Sequence, residues 1–136
     1  MSKTTSKRFD PIPSEIEIVA KQTLDAAFQV HTALGPSLLE SIYEQCLAYE
    51  LRERGIDAKT QVTLPISYKD IRMESGYRLD LFVEDCVIVE IKAVEKMSTL
   101  YEAQLLTYLK LAEVRVGFLI NFNVPHLKDG IKRMVY

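Results

Sequence analysis

The segment Gly76-Tyr77-Arg78-Leu79-Asp80-Leu81-Phe82-Val83-Glu84-Asp85-Cys86-Val87-Ile88-Val89-Glu90-Ile91-Lys92-Ala93 constrains this chain more than any other. It holds two apolar runs of strand composition, yet those runs carry Asp80, Glu90 and Lys92. Strands that otherwise read as core seldom hold charge without a use for it. Glu90 and Lys92 stand two apart, so the period of a strand turns both to one face and Ile91 to the other. The length of the connection between the runs decides whether Asp80 joins them. A two-residue turn at Glu84-Asp85 sets Asp80 opposite Val89 and sends the two acids to opposite faces, whereas a three-residue connection from Glu84 to Cys86 sets Asp80 opposite Glu90. Glu-Asp lacks the Gly or Asn that a two-residue turn takes at positive φ, so the longer connection is expected. Two carboxylates about 4 Å apart repel by roughly 4 kcal/mol at an effective dielectric constant of about 20. Lys92 offsets only part of that, and a divalent cation would remove the conflict.

With 136 residues, 48% of them hydrophobic, the chain is long enough for one α/β domain with a substantial core. Residues 13–136 are assigned to that domain and residues 1–12 to a flexible polar arm, which has neither the apolar stretch of a secretory signal nor that of a membrane anchor. The formal net charge of −2 argues against attachment to nucleic acid by bulk positive charge, so any phosphate binding has to be local. Cys46 and Cys86 show no paired spacing for zinc and read as reduced thiols of a cytoplasmic protein.

Helical spacing of Ile16, Val19, Ala20, Leu24, Ala27, Phe28, His31 and Leu34 predicts a first helix, opened by Ser14 as N-cap with Glu17 completing a capping box. Gly35-Pro36 stops it. A second helix is expected from Ser37 to about Arg54, with Gly55 as a left-handed C-terminal cap. The period then changes to two through Val62, Leu64, Ile66 and Tyr68, and Pro65 marks an edge strand or a bulge. Lys69-Asp70 and Ser75-Gly76 read as turns. A third helix opens at Ser98-Thr99, with Thr99 and Glu102 spaced as a capping box, and runs to about Ala112. A strand over Arg115 to Phe122, a loop to Gly130 and a last strand to Tyr136 complete a mixed α/β order.

Gly35-Pro36-Ser37-Leu38-Leu39-Glu40-Ser41-Ile42-Tyr43 resembles the GxxExxY motif of a family of small bacterial and archaeal proteins. Asp80 followed by Glu90-Ile91-Lys92 is similar to the active-site signature of the PD-(D/E)XK nuclease superfamily, to which that family is assigned. Gln104-Leu105-Leu106-Thr107-Tyr108 is similar to the QxxxY element on the helix after the catalytic strand. The superfamily's proline is absent before the acid, where Leu79 stands. The resemblance implies a restriction-endonuclease-like fold, a mixed sheet flanked by helices. It implies that Asp80 and Glu90 hold Mg²⁺ or Mn²⁺ with Glu40 and the Ile91 carbonyl as further ligands, and that Lys92 orients or deprotonates water. Gln104 would steady the site or the substrate backbone. Nucleic acid, DNA ahead of RNA, is the implied substrate.

Each residue also has an ordinary structural reading. Glu40 could be the acidic partner of a capping box begun by Ser37. Tyr43 fits a packed aromatic with a satisfied hydroxyl, and Tyr108 among Leu105, Leu109 and Leu111 leans structural. His31, on the apolar helix stripe, reads as a hydrogen-bonded core residue in a supporting role. Asp80 could pair with Arg78, and Glu90 with Lys92 on a solvated face. Lys128, Lys132 and Arg133 form a basic cluster whose default role is solvation. The competing function is a nuclease-like domain that binds a protein partner or nucleic acid without cutting, for instance as a homodimer. An enzyme of small phosphorylated molecules would want the glycine-rich phosphate loop that this chain lacks.

Overall fold

A computed structural model describes residues 10–136; most of the arm assigned to residues 1–12 lies outside the described residues. Helix α1 spans Ser14–Leu34 and α2 spans Glu40–Glu53. In α1 the buried positions Ala20, Thr23, Ala26, Ala27, Val30 and His31 recur at spacings of three and four, as an amphipathic helix requires. The buried stripe is rotated from the expected one. Small residues take the core-facing positions, and Phe28 and Leu34 are each 40% exposed. Ser14 does not cap α1. Pro13 holds the N-cap position without a side-chain bond, and Glu17 instead accepts two hydrogen bonds from the Arg133 guanidinium, at 2.9 and 2.8 Å.

Helix α2 starts three residues later than its composition suggests, because Ser37 sits at φ +79° and Leu39 is extended, conformations that a helix excludes. The preceding turn is held by Tyr43, fully buried, whose hydroxyl donates to the Gly35 carbonyl at 2.6 Å and accepts from the Leu38 N–H at 3.2 Å. At the other end Gly55 takes φ +77° as expected. The Ile56 N–H reaches the Leu51 carbonyl and the Gly55 N–H the Arg52 carbonyl, at 3.0 and 2.9 Å, the pair of bonds that closes a helix on a left-handed glycine.

Five strands follow: β1 (Ala58–Tyr68), β2 (Ile71–Val83), β3 (Val87–Lys92), β4 (Val116–Asn121) and β5 (Ile131–Val135), paired in sequence order. Only β3 and β4 are parallel, and helix α3 (Thr99–Ala112) makes the crossover that a parallel pair needs. Its cap is Ser98, whose hydroxyl accepts from the Leu100 N–H at 3.1 Å, one residue before the expected Thr99. Leu81, Val83, Val87, Val89, Ile91, Phe118 and Ile120 pack with α1 and α2 on one face. Ile88 and Leu119 pack with Leu105, Tyr108 and Leu109 of α3 on the other. This is the expected mixed sheet with helices on both faces.

Strand β1 lies at the sheet edge, and its register shifts between Leu64 and Ile66, around Pro65. Ser75-Gly76 does not form the expected turn, since β2 runs straight through it. Gly76 is there for space: a Cβ on it would lie 2.4 Å from Cγ1 of Ile66, the residue the bulge displaces. Val83 pairs with Val87, so Glu84, Asp85 and Cys86 form the three-residue connection. Glu84 and Asp85 nonetheless adopt φ +50° and +52°, contrary to the expectation that acidic residues avoid that region here. Local partners offset the strain: Glu84 accepts from the Asp57 N–H at 2.7 Å, and Asp85 pairs with Lys59 at 2.9 Å.

Strand β2 pairs with β3 only over Leu81–Val83, yet with β1 all the way to Ile71. Its first part therefore leaves the sheet as a two-stranded ribbon with β1. The ribbon also turns over. Ala58, Leu81 and Val83 belong to the α1/α2 core, whereas Val62, Leu64, Tyr77 and Leu79 belong to the α3 core, although residues two apart in a flat strand share a face. The change falls at Gln61, with φ +53°, which stands opposite Asp80 between the pairs Thr60↔Leu81 and Val62↔Leu79.

Candidate active site

The place where β2 leaves β3 is where the acidic residues meet. Continuing the register of Leu81↔Val89 sets Asp80 opposite Glu90. Side chains there replace the next rung of the backbone ladder: the Ile91 N–H donates to Asp80 Oδ2 at 2.8 Å and the Asp80 N–H to Glu90 Oε1 at 3.3 Å. Glu90 is only 4% exposed, so it does not form a solvated pair with Lys92, and its Oε2 accepts the Tyr77 hydroxyl at 3.2 Å. The Tyr77 ring stacks on Tyr108, centroids 4.1 Å apart. Lys92, on the Glu90 face of β3, lays its ammonium 4.4 Å from the centroid of the Tyr101 ring on α3, an attraction between a cation and a ring quadrupole.

Helix α2 closes the site from the other side. Glu40 is its first residue, and its carboxylate accepts the Ala93 N–H at 3.2 Å, just past the end of β3. That contact, together with the left-handed Ser37, replaces the capping box. Glu44, one turn on, accepts from the Gln61 carboxamide at 2.7 Å. Asn121, 2% exposed, accepts the Val94 N–H and donates to the Val94 carbonyl, at 3.1 and 3.0 Å, and so fixes the chain that follows Lys92.

Burial dominates the electrostatics. It pushes the Glu90 carboxyl up to about 8, with the Asp80 charge adding to the rise and the Asp80 N–H, Tyr77 and Lys92 opposing it. Asp80 is also raised, first by burial and then by Glu40, against the Ile91 N–H, Lys92 and the Gln61 carboxamide. Glu44 is raised by burial and by the charges of Asp80 and Glu40. Burial likewise holds the Tyr77 phenol well above its ordinary range. Four carboxyl groups share this region with one lysine, so the field favours an added cation.

The other residues singled out in the sequence fall in two groups. Gln104 is exposed on α3, three residues after Tyr101 and four before Tyr108, hence on the helix stripe that carries both rings. His31 and Tyr43 lie in the α1/α2 layer: His31 Nε2 is 2.9 Å from the Val124 carbonyl, and Tyr43 stacks on Phe122 at 4.5 Å. Both hold the Gly35 turn and the loop after β4, as the ordinary reading has it. In the basic cluster Arg133 pairs with Glu17, and Lys132 lies 4.0 Å from Glu102. Tyr77, Gln61, Glu44 and Tyr101 were not singled out by the sequence. Glu44 could have been found four residues after Glu40, and Tyr101 three before Gln104. Nothing local marks Gln61.

Among the described residues no three Asp, Glu, His or Cys side chains gather as a ready-made metal cage. Asp80 and Glu90 are the adjoining pair, with Glu40 beside them on the Ala93 N–H. This donor set consists of hard carboxylate oxygens, with Glu90 buried, Asp80 half-buried and Glu40 exposed, and it fits a hard divalent cation that would take water or substrate oxygens as its further ligands. Among the described residues no helix is long and apolar enough to cross a membrane, and Cys46 and Cys86 are both free thiols.

A family model described as the PD-(D/E)XK nuclease superfamily matches residues 17–134. No curated protein and no solved structure matches the chain. The match takes in α2, α3, β1 to β4 and all but the last residue of β5, and with them every element that contributes to the opened end of β3; the chain belongs to the PD-(D/E)XK nuclease superfamily.

Proposed function

We propose that this protein is a metal-dependent nuclease that hydrolyses phosphodiester bonds in DNA, built from residues 13–136 as one domain of the GxxExxY type and working in the cytoplasm. The observation that carries the reading is the meeting of Asp80 and Glu90 across the opened ladder, with Lys92 on the same strand face. A buried carboxyl with a second acid beside it is costly unless the pair binds something.

Asp80 and Glu90 would hold Mg²⁺ or Mn²⁺. The Ile91 carbonyl, directed by strand geometry to the same side as its N–H, and Glu40, directly or through water, would complete the set. When bound, the cation supplies Lewis-acid chemistry at a phosphoryl oxygen. Lys92 orients a water molecule for attack on phosphorus and offsets the charge that builds there as the P–O bond to the leaving oxygen breaks. Tyr101 keeps the Lys92 ammonium at the mouth of the site. Gln104, between the two rings on α3, is placed to contact the substrate backbone. Tyr77, backed by Tyr108, fixes the Glu90 carboxylate.

One observation favours a second reading, a nuclease-like domain that binds nucleic acid or a protein partner, alone or as a homodimer, without cutting. Both Glu90 oxygens already accept hydrogen bonds from the protein. Incubation with linear and circular DNA and with RNA, with Mg²⁺ or Mn²⁺ present and absent, separates the two. The nuclease reading expects metal-dependent cleavage of DNA that Asp80→Ala removes. No cleavage, or equal cleavage by wild type and variant, rejects it.

A further inference from the structure

Gln61 is an unexpected residue to find where it is. It lies within β1, flanked by the paired residues Thr60 and Val62, at φ +53°, a conformation that costs a non-glycine residue of its size about 1 kcal/mol or more. Such strain persists only where the surroundings impose it, and it concentrates at functional sites. Opposite it stands Asp80, and at this rung the β1–β2 ribbon changes the face it buries. The Gln61 carboxamide has two N–H donors. One reaches Glu44 Oε1 at 2.7 Å, and the group stands near enough to the Asp80 carboxylate to favour its charged form.

We propose that Gln61 is the positioning residue for Asp80: its left-handed backbone turns the ribbon over at that rung, and its carboxamide, anchored on Glu44 of α2, stands beside Asp80, so that the aspartate aims at the Ile91 N–H and at Glu90. A donor between two acids also lowers their mutual repulsion, which lets α2 and β2 approach. The claim concerns the metal-free protein; only its consequence for cation binding rests on the nuclease reading.

The test uses Gln61→Gly and Gln61→Asn in the full chain. Both residues accept a left-handed φ, and neither places a carboxamide where that of Gln61 stands, so both are expected to fold with no loss of melting temperature beyond that of the lost hydrogen bond to Glu44. In the metal-free variants the Ile91 amide proton should shift upfield in NMR spectra and exchange with solvent about tenfold faster relative to the Val89 amide, as expected for one weakened hydrogen bond. An unchanged Ile91 amide in Gln61→Gly overturns the proposal. Mn²⁺ titrated calorimetrically should bind both variants about tenfold more weakly than wild type, and equal affinity overturns the proposal as well. If wild type binds no Mn²⁺ while the Ile91 amide still responds, the positioning role stands and the nuclease reading falls.

Discussion

Glu90 holds a carboxyl group at about 8 at the centre of a sheet, and the linkage between protonation and folding gives this a sign. An unfolded chain releases that proton near the usual value of 4.5, so between the two values the folded chain binds more protons than the unfolded one, and stability falls as pH rises. Metal-free protein should therefore lose up to roughly 1.4 kcal/mol per pH unit from this group between about pH 5 and 8, and Glu90→Gln should flatten the slope; urea titrations across that range provide the check. Lys92→Ala should leave Mn²⁺ affinity within about threefold of wild type while lowering the cleavage rate by about two orders of magnitude, the scale of a lost proton-transfer or charge-stabilising group. Single-turnover assays read this directly. The spacing of Glu90 and Lys92 and the length of the hairpin connection made this face legible in the sequence, because both depend on a period of two. Tyr77 and Gln61 were not legible. They reach the acids through a turnover of the ribbon that no local pattern encodes.

Element boundaries show the same division between local and long-range causes. Gly55 announced the end of α2 because a left-handed cap is a property of the backbone alone. Ser14 and Ser37 misled because each has a competitor outside its own turn: Arg133 claims Glu17, and Asn123 accepts the Ser37 N–H at 3.1 Å. Ser75-Gly76 resembled a turn, but the glycine serves the bulge on the neighbouring strand. Gly76→Ala should consequently destabilise the protein by about 1–3 kcal/mol, the usual cost of overpacking. Part of that should return in the double variant with Ile66→Val, which removes the Cδ1 atom 2.6 Å from the added methyl. A double-mutant cycle by thermal denaturation measures the coupling.

For the molecule as a whole, a mixed sheet with helices on both faces follows from the order of periods along the chain, and the family match over residues 17–134 agrees with it. Cation binding is the global test. Mn²⁺ at a hundred times its dissociation constant should raise stability by about 2.7 kcal/mol, seen as an upward shift of several degrees in melting temperature, and Asp80→Ala should abolish the shift. A melting curve indifferent to Mn²⁺ in wild type would count against the site. The separation of β2 from β3 has a mechanical consequence. Asp80 belongs to the ribbon and Glu90 to the main sheet, so an ion held by both would latch the two together. Whatever leans on the ribbon would then change the latch's grip, and by reciprocity the latch would set the ribbon's attitude toward anything lying along it.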